Sequence, residues 1–115
     1  MNKELWEKHD QLLEVTPHRS VYWGIYRTQA EAVEFTQTDP ELTPQEFLDE
    51  GSDIIISVMT TFKSAGISYE VALQAIHNKL DEITDRATKA TIEVPIFDSE
   101  WEEAYQRIKQ KAKSP

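Results

Sequence analysis

The segment from Thr43 to Gly66, TPQEFLDEGSDIIISVMTTFKSAG, constrains the fold of this chain more than any other part of it. It opens on Thr43-Pro44-Gln45-Glu46. The threonine suits a helix cap, the proline suits the first turn, and the glutamate is placed to reach back and close a capping box. Gly66 supplies the stop, because glycine accepts the left-handed conformation that ends a helix. Between these signals Phe47, Leu48, Gly51, Ile54, Ile55, Val58, Met59 and Phe62 recur along one helical face. The pattern predicts a helix from Pro44 to about Ala65 with that stripe in a core.

The neighbouring segments read as helices too. Residues 3 to about 14 carry a thin apolar face, with Leu5 and Leu12, and Trp6 and Leu13, each seven apart. Thr16-Pro17 then resembles a cap followed by a first-turn proline. It starts a second helix that runs to about Gln37 and is ended by Asp39-Pro40. Tyr22, Trp23, Tyr26, Ala30 and Val33 form its predicted apolar arc, with Gly24 as a mild local cost. Ser68 caps a fourth helix from Tyr69 to about Lys89, with Val71, Leu73, Ile76, Leu80 and Ile83 as buried candidates. Thr91 to Phe97 is β-branched and broken by Pro95, so it reads as a very short strand or an extended segment. Asp98 or Ser99 then caps a last helix with Trp101, Tyr105 and Ile108 on one face, before a basic, frayed tail. The expected fold is a single all-α domain over residues 1–115, a bundle of about four to five helices.

Charge narrows the function classes. The net charge is −9, and eight acidic residues with no Lys or Arg lie between Glu31 and Asp53. A phosphate-backbone footprint needs clustered basic residues, so direct binding to nucleic acid is not expected. There is no apolar run long enough for a membrane span and no secretory signal, and the cysteine count is zero. These point to a cytoplasmic location and exclude disulfides and thiolate metal sites. His9, His18 and His77 lack the spacing of a zinc site, and three glycines cannot build a glycine-rich phosphate loop.

Within the acidic stretch two pairs stand out, Glu31-Ala-Val-Glu34 and Glu50-Gly-Ser-Asp53. Residues three apart on a helix face the same way. The short 38–43 connection favours antiparallel neighbours, so both pairs can meet at the rim where the second and third helices pack. Converging carboxylates repel unless something compensates them, and oxygen ligands of this kind suit Mg²⁺ or Mn²⁺. Gly51, between Glu50 and Ser52, is expected to allow close approach of another element. The alternative reading is that each pair faces solvent.

The arrangement Glu31-x-x-Glu34, fifteen intervening residues, then Glu50-x-x-Asp53, resembles the signature of the MazG-like all-α nucleoside triphosphate pyrophosphohydrolases. QEFLDEGSDIIISVMTTFKSAGIS resembles the metal-binding helix of that family and the turn after it, and NKLDEITDR resembles the following helix. The likeness extends over about residues 20 to 90. It implies that Glu31, Glu34, Glu50 and Asp53 hold Mg²⁺, with Mn²⁺ as an alternative, and that the metal bridges to a triphosphate. It also implies that Lys79 and Arg86 contact phosphates. Family members often carry an asparagine between such basic residues, where this chain has Ile83, with Asn78 nearby. The family reaction cleaves a nucleoside triphosphate to the monophosphate and pyrophosphate.

Among the carboxylates, Glu34, Glu46 or Glu50 is expected to take part in activating water. Trp6, Trp23 and Tyr26 are candidates for a wall against the base. Ile56 projects away from the main stripe, so the third helix is apolar on more than one side, as in a helix central to a larger bundle. The resembled family builds its bundle from two chains, which implies a homodimer or homotetramer. Two alternatives stand beside this reading: a non-catalytic helical assembly or regulatory protein, and the same core acting on another pyrophosphate-linked substrate.

Overall fold

The computed structural model describes residues 1–16 and 20–93, and beyond them only positions 103, 106, 107 and 110, which are helical. The chain is all-α, with helices α1 (Lys3–Val15), α2 (Val21–Phe35), α3 (Pro44–Ser64) and α4 (Tyr69–Glu93) and no strand among the described residues.

Local chemistry sets most of the helix ends. Asn2 caps α1 by accepting from the Leu5 N–H at 2.8 Å. Thr16, expected to start α2, instead closes α1, its hydroxyl donating to the Leu12 carbonyl. Ser20 performs the capping of α2, accepting from the Trp23 N–H. Pro17 lies outside the described residues. The Thr43 box does not form either. The Thr43 hydroxyl turns back to the Asp39 backbone, while Asp39 Oδ1 accepts from the N–H groups of Glu41 and Leu42. A side chain committed to the preceding turn is not available to cap the helix. At the other end Gly66 adopts φ 76°, and the N–H groups of Gly66 and Ile67 bond to the Lys63 and Phe62 carbonyls. That is the double bond pattern of a glycine-terminated helix. Ser68 caps α4 as expected. The helix continues through Thr91 to Glu93, where the sequence suggested extended chain; residues 94–97 and the apolar face of the last helix lie outside the described residues.

Helices α2 and α3 pack antiparallel, and the pairing runs along their length. Gly24 abuts Thr61, Thr28 hydrogen-bonds Ser57 at 2.9 Å, Glu31 faces Glu50 and Asp53, and Phe35 stacks on Phe47 with ring centroids 5.2 Å apart. A Cβ at Gly24 would lie only 3.2 Å from the Thr61 Cα, so that glycine permits close backbone approach. At Gly51 the corresponding neighbour is the Phe35 ring at 3.3 Å, the close element expected there.

The face that α2 turns to α3 is therefore glycine and polar residues over most of its length, with Phe35 at its C-terminal end. Its aromatic arc points outward, leaving Tyr22, Ile25 and Tyr26 exposed, against the expectation that Tyr22, Trp23, Tyr26 and Val33 face the core. Among the described residues the buried apolar side chains are Trp6, Met59 and Ala72, with Phe62, Ile67 and Tyr69 packed against them. Of the α3 stripe, Met59 is buried, but Leu48 and Ile55 are more than half exposed. On α4 Ala72 is buried, whereas Val71, Ile76, Leu80 and Ile83 are exposed, contrary to their expected burial. The core among the described residues is thus small, and α4 carries exposed apolar side chains along its length.

Candidate metal centre

The antiparallel register of α2 and α3 decides the site. Glu31 is eleven residues before Leu42 on α2's side of the connection, and Glu50 and Asp53 lie in the second and third turns of α3. The pairing that sets Thr28 against Ser57 and Phe35 against Phe47 brings the acidic turns between them face to face. One carboxylate oxygen from each of Glu31, Glu50 and Asp53 falls within 4.8 Å of the others.

Burial makes this more than an acidic surface. Glu31 is only 4% exposed, although a carboxylate is rarely buried so fully without a partner. Its Oε1 receives the Arg27 guanidinium at 2.5 Å, one helical turn earlier. Its Oε2 is buried with no hydrogen-bond partner, and Glu50 Oε2 is orphaned in the same way. Asp53 is exposed and opens the cluster to solvent. Burial pushes the Glu31 carboxyl above its usual range, and the neighbouring Glu34 carboxyl adds to the shift; Arg27 pulls the other way. Glu50 is also raised, by burial first, then by Glu34 and by the like charges of Asp53 and Asp49. Four carboxylates thus meet with one guanidinium among them.

Buried acceptor oxygens without donors, arranged around a common point, fit a hard cation that accepts oxygen ligands. Glu31, Glu50 and Asp53 form the compact set. Glu34 is close to the buried Glu31 carboxylate and the half-buried Glu50 carboxylate while remaining exposed to solvent. Glu46 is exposed in the first turn of α3, outside the set of three.

A cleft of about 210 Å³ leads away from the cluster. Glu31 and Asp53 form its acidic end, and Leu12, Leu13, Trp23 and Ile56 form an apolar wall. Trp23 therefore shares this cleft with Glu31 and Asp53. Trp6 is buried in the core and Tyr26 is exposed outside this lining. Ile56, read as a sign of association, forms part of this wall. Lys79 and Arg86 do not line the cleft; both pair with Glu82 on the exposed part of α4, at 3.3 and 3.1 Å. Asn78 accepts from Gln74 on the same helix.

Sequence reasoning missed Arg27, Leu12 and Leu13. The signal for Arg27 was present, since a cation four residues before Glu31 shares its helix face. The leucines belong to another helix and had no comparable signal. No helix among the described residues is long and apolar enough to cross a membrane. No protein-family model, curated protein or solved structure matches this chain, so its site is read from its own residues and their geometry.

Proposed function

We propose that this chain is a Mg²⁺-dependent nucleoside triphosphate pyrophosphohydrolase, with Mn²⁺ able to replace Mg²⁺. The observation that carries the reading is the buried Glu31 carboxylate, which keeps one oxygen unpartnered and shares a cluster with Glu50 and Asp53. The likeness of the two acidic pairs and their flanking helices to the MazG-like enzymes supports the same chemistry. Glu31, Glu50 and Asp53 hold the metal from two helices, and the α2–α3 packing fixes their positions.

When bound, the metal neutralises the triphosphate and stabilises charge on the phosphoryl group being transferred. Glu34 stands at the solvent side of the cluster, where its carboxylate accepts the proton of the attacking water. Trp23 and the leucines of α1 offer an apolar wall to the base. The enzyme works as a homodimer or homotetramer. The exposed aromatic face of α2 and the apolar stripe of α4 support this, because a single chain leaves them uncovered.

The deciding experiment is release of pyrophosphate from a panel of canonical and modified nucleoside triphosphates, with Mg²⁺, with Mn²⁺ and with chelator. Metal-dependent pyrophosphate from at least one substrate is expected, from a species that sediments above the 13.3 kDa monomer. No pyrophosphate from any member would remove the enzyme reading. Nucleoside monophosphate formed only from nucleotide sugars, or pyrophosphate only from phosphoribosyl compounds, added as controls, would move the substrate to another pyrophosphate-linked class.

A further inference from the structure

Among the described residues that line the cleft beside the carboxylates, Arg27 is the one cation. It reaches Glu31 Oε1 from the cleft side, and the pair is lopsided: the arginine side chain is 48% exposed and the glutamate side chain 5%. The other Glu31 oxygen is left without a partner. One guanidinium therefore balances one oxygen of a cluster that holds four carboxylates. Its long side chain keeps freedom to turn into the cleft, since it lies half in solvent and bonds through a single nitrogen.

A dication held by Glu31, Glu50 and Asp53 would share Glu31 with this guanidinium. Two cations on one carboxylate repel, and the dication has the greater charge and more ligands. A triphosphate arriving in the same cleft would meet acidic and apolar walls and the positive side chain of Arg27. Guanidinium is well matched to phosphate oxygens because its planar fork makes two parallel bonds. Lys79 and Arg86 are engaged with Glu82 elsewhere in the chain.

We infer that Arg27 is an exchangeable cation. It holds Glu31 in the metal-free site, yields that carboxylate to the metal, and turns to the phosphate oxygens of the substrate. The inference rests on the metal-centre reading above and adds a phosphate contact that the carboxylates cannot provide. A rival role, in which Arg27 does no more than orient Glu31, predicts the opposite sign for metal binding when the arginine is removed.

The test uses the full-length chain and two probes: Mn²⁺, with free ion counted by electron paramagnetic resonance, and inorganic triphosphate titrated at saturating Mn²⁺. Arg27→Gln is expected to bind Mn²⁺ as tightly as wild type or about threefold tighter, because a repelling charge has gone. The same variant is expected to bind triphosphate roughly tenfold or more weakly, the scale of a lost charge-assisted hydrogen bond. Arg27→Lys keeps the charge without the fork. It should leave Mn²⁺ binding unchanged and recover part of the triphosphate affinity. Weaker Mn²⁺ binding in Arg27→Gln, or unchanged triphosphate binding, overturns the inference while leaving the metal centre standing. A wild-type protein that binds no Mn²⁺ removes both. If circular dichroism shows that Arg27→Gln has lost its helices, Arg27→Lys decides: weakened triphosphate binding with Mn²⁺ unchanged supports the exchange, and any other result overturns it.

Discussion

At the C-terminal end of α3, Lys63 is nearly buried yet fully engaged. Its ammonium donates to the Trp6 carbonyl and to Asp10 Oδ1 at 2.6 Å, and sits 4.6 Å from the centre of the Trp6 ring. Beside it Thr60 meets His9 Nε2 at 2.9 Å. Ten residues earlier on the same helix, Asp53 joins Glu31 and Glu50 in a cluster where two buried oxygens have no donor at all. The first region ties α1 to α3 by giving a buried charge its partners. The second leaves like charges facing each other, an arrangement that costs stability unless a cation enters. One helix thus carries a structural charge at one end and an unbalanced set toward the other, and the difference separates holding the fold from binding a ligand.

The strongest way to break that comparison is to neutralise one acid of the cluster. Glu50→Gln is expected to reduce hydrolysis by orders of magnitude without loss of helical content. In chelator its melting temperature should match wild type or rise slightly, because a like charge has been removed. With saturating Mg²⁺ or Mn²⁺ the wild type should gain stability by mass action and the variant much less. Equal metal-induced shifts in the two proteins would take Glu50 out of the site.

The opposite region should respond in the opposite manner. Lys63→Met removes the ammonium that binds Trp6 and Asp10, and is expected to cost about 1–3 kcal/mol in urea unfolding. Mn²⁺ affinity should stay close to wild type, since the carboxylates are untouched. A Lys63→Met protein that is fully stable but fails to bind metal would reverse the roles assigned to the two ends.

The smallest effect, and the one that separates the regions by sign, is pH dependence in chelator. Glu31 and Glu50 are raised in the folded protein. The native state therefore binds protons more readily than the unfolded chain in this range. Their contribution is full below the ordinary carboxylate value, about 4.3, and is lost as pH rises through the folded values. His9 is lowered, by burial first and then by the charge of Lys63. Its contribution is full above the ordinary histidine value, about 6.5, and is lost as pH falls from there towards its folded value. His9→Gln should therefore flatten the decline in melting temperature between pH 7.5 and 5.5. Glu50→Gln should leave that decline in place and reduce the gain at lower pH. A decline unchanged in His9→Gln would show that His9 does not titrate as its burial implies.

Much of this molecule was legible one segment at a time. The period of apolar residues from Phe47 to Phe62 and the stop at Gly66 marked α3 correctly, and Ser68 marked the start of α4. The two acidic pairs could be placed on facing helices because three-residue spacing and a short connection are local facts. The failures were of two kinds. Capping at Thr16 and Thr43 was misjudged because each hydroxyl had a second backbone partner within four residues, and composition does not choose between them.

The facing of α2 failed for a different reason. Its aromatic arc from Tyr22 to Val33 has the stronger hydrophobic pattern, yet Gly24, Thr28, Glu31 and Phe35 meet α3. A helix pattern reports which residues share a face, and not which partner that face will meet. Close backbone approach at Gly24 allowed α2 to lie on that mostly polar side, and that single packing choice buried Glu31. The residue types and spacings alone were enough to make the chain helical and to place its acids in pairs. Only the antiparallel packing of α2 on α3 could bury one of those acids and leave its oxygen without a donor, because burial and unmet hydrogen bonds are properties of two surfaces in contact.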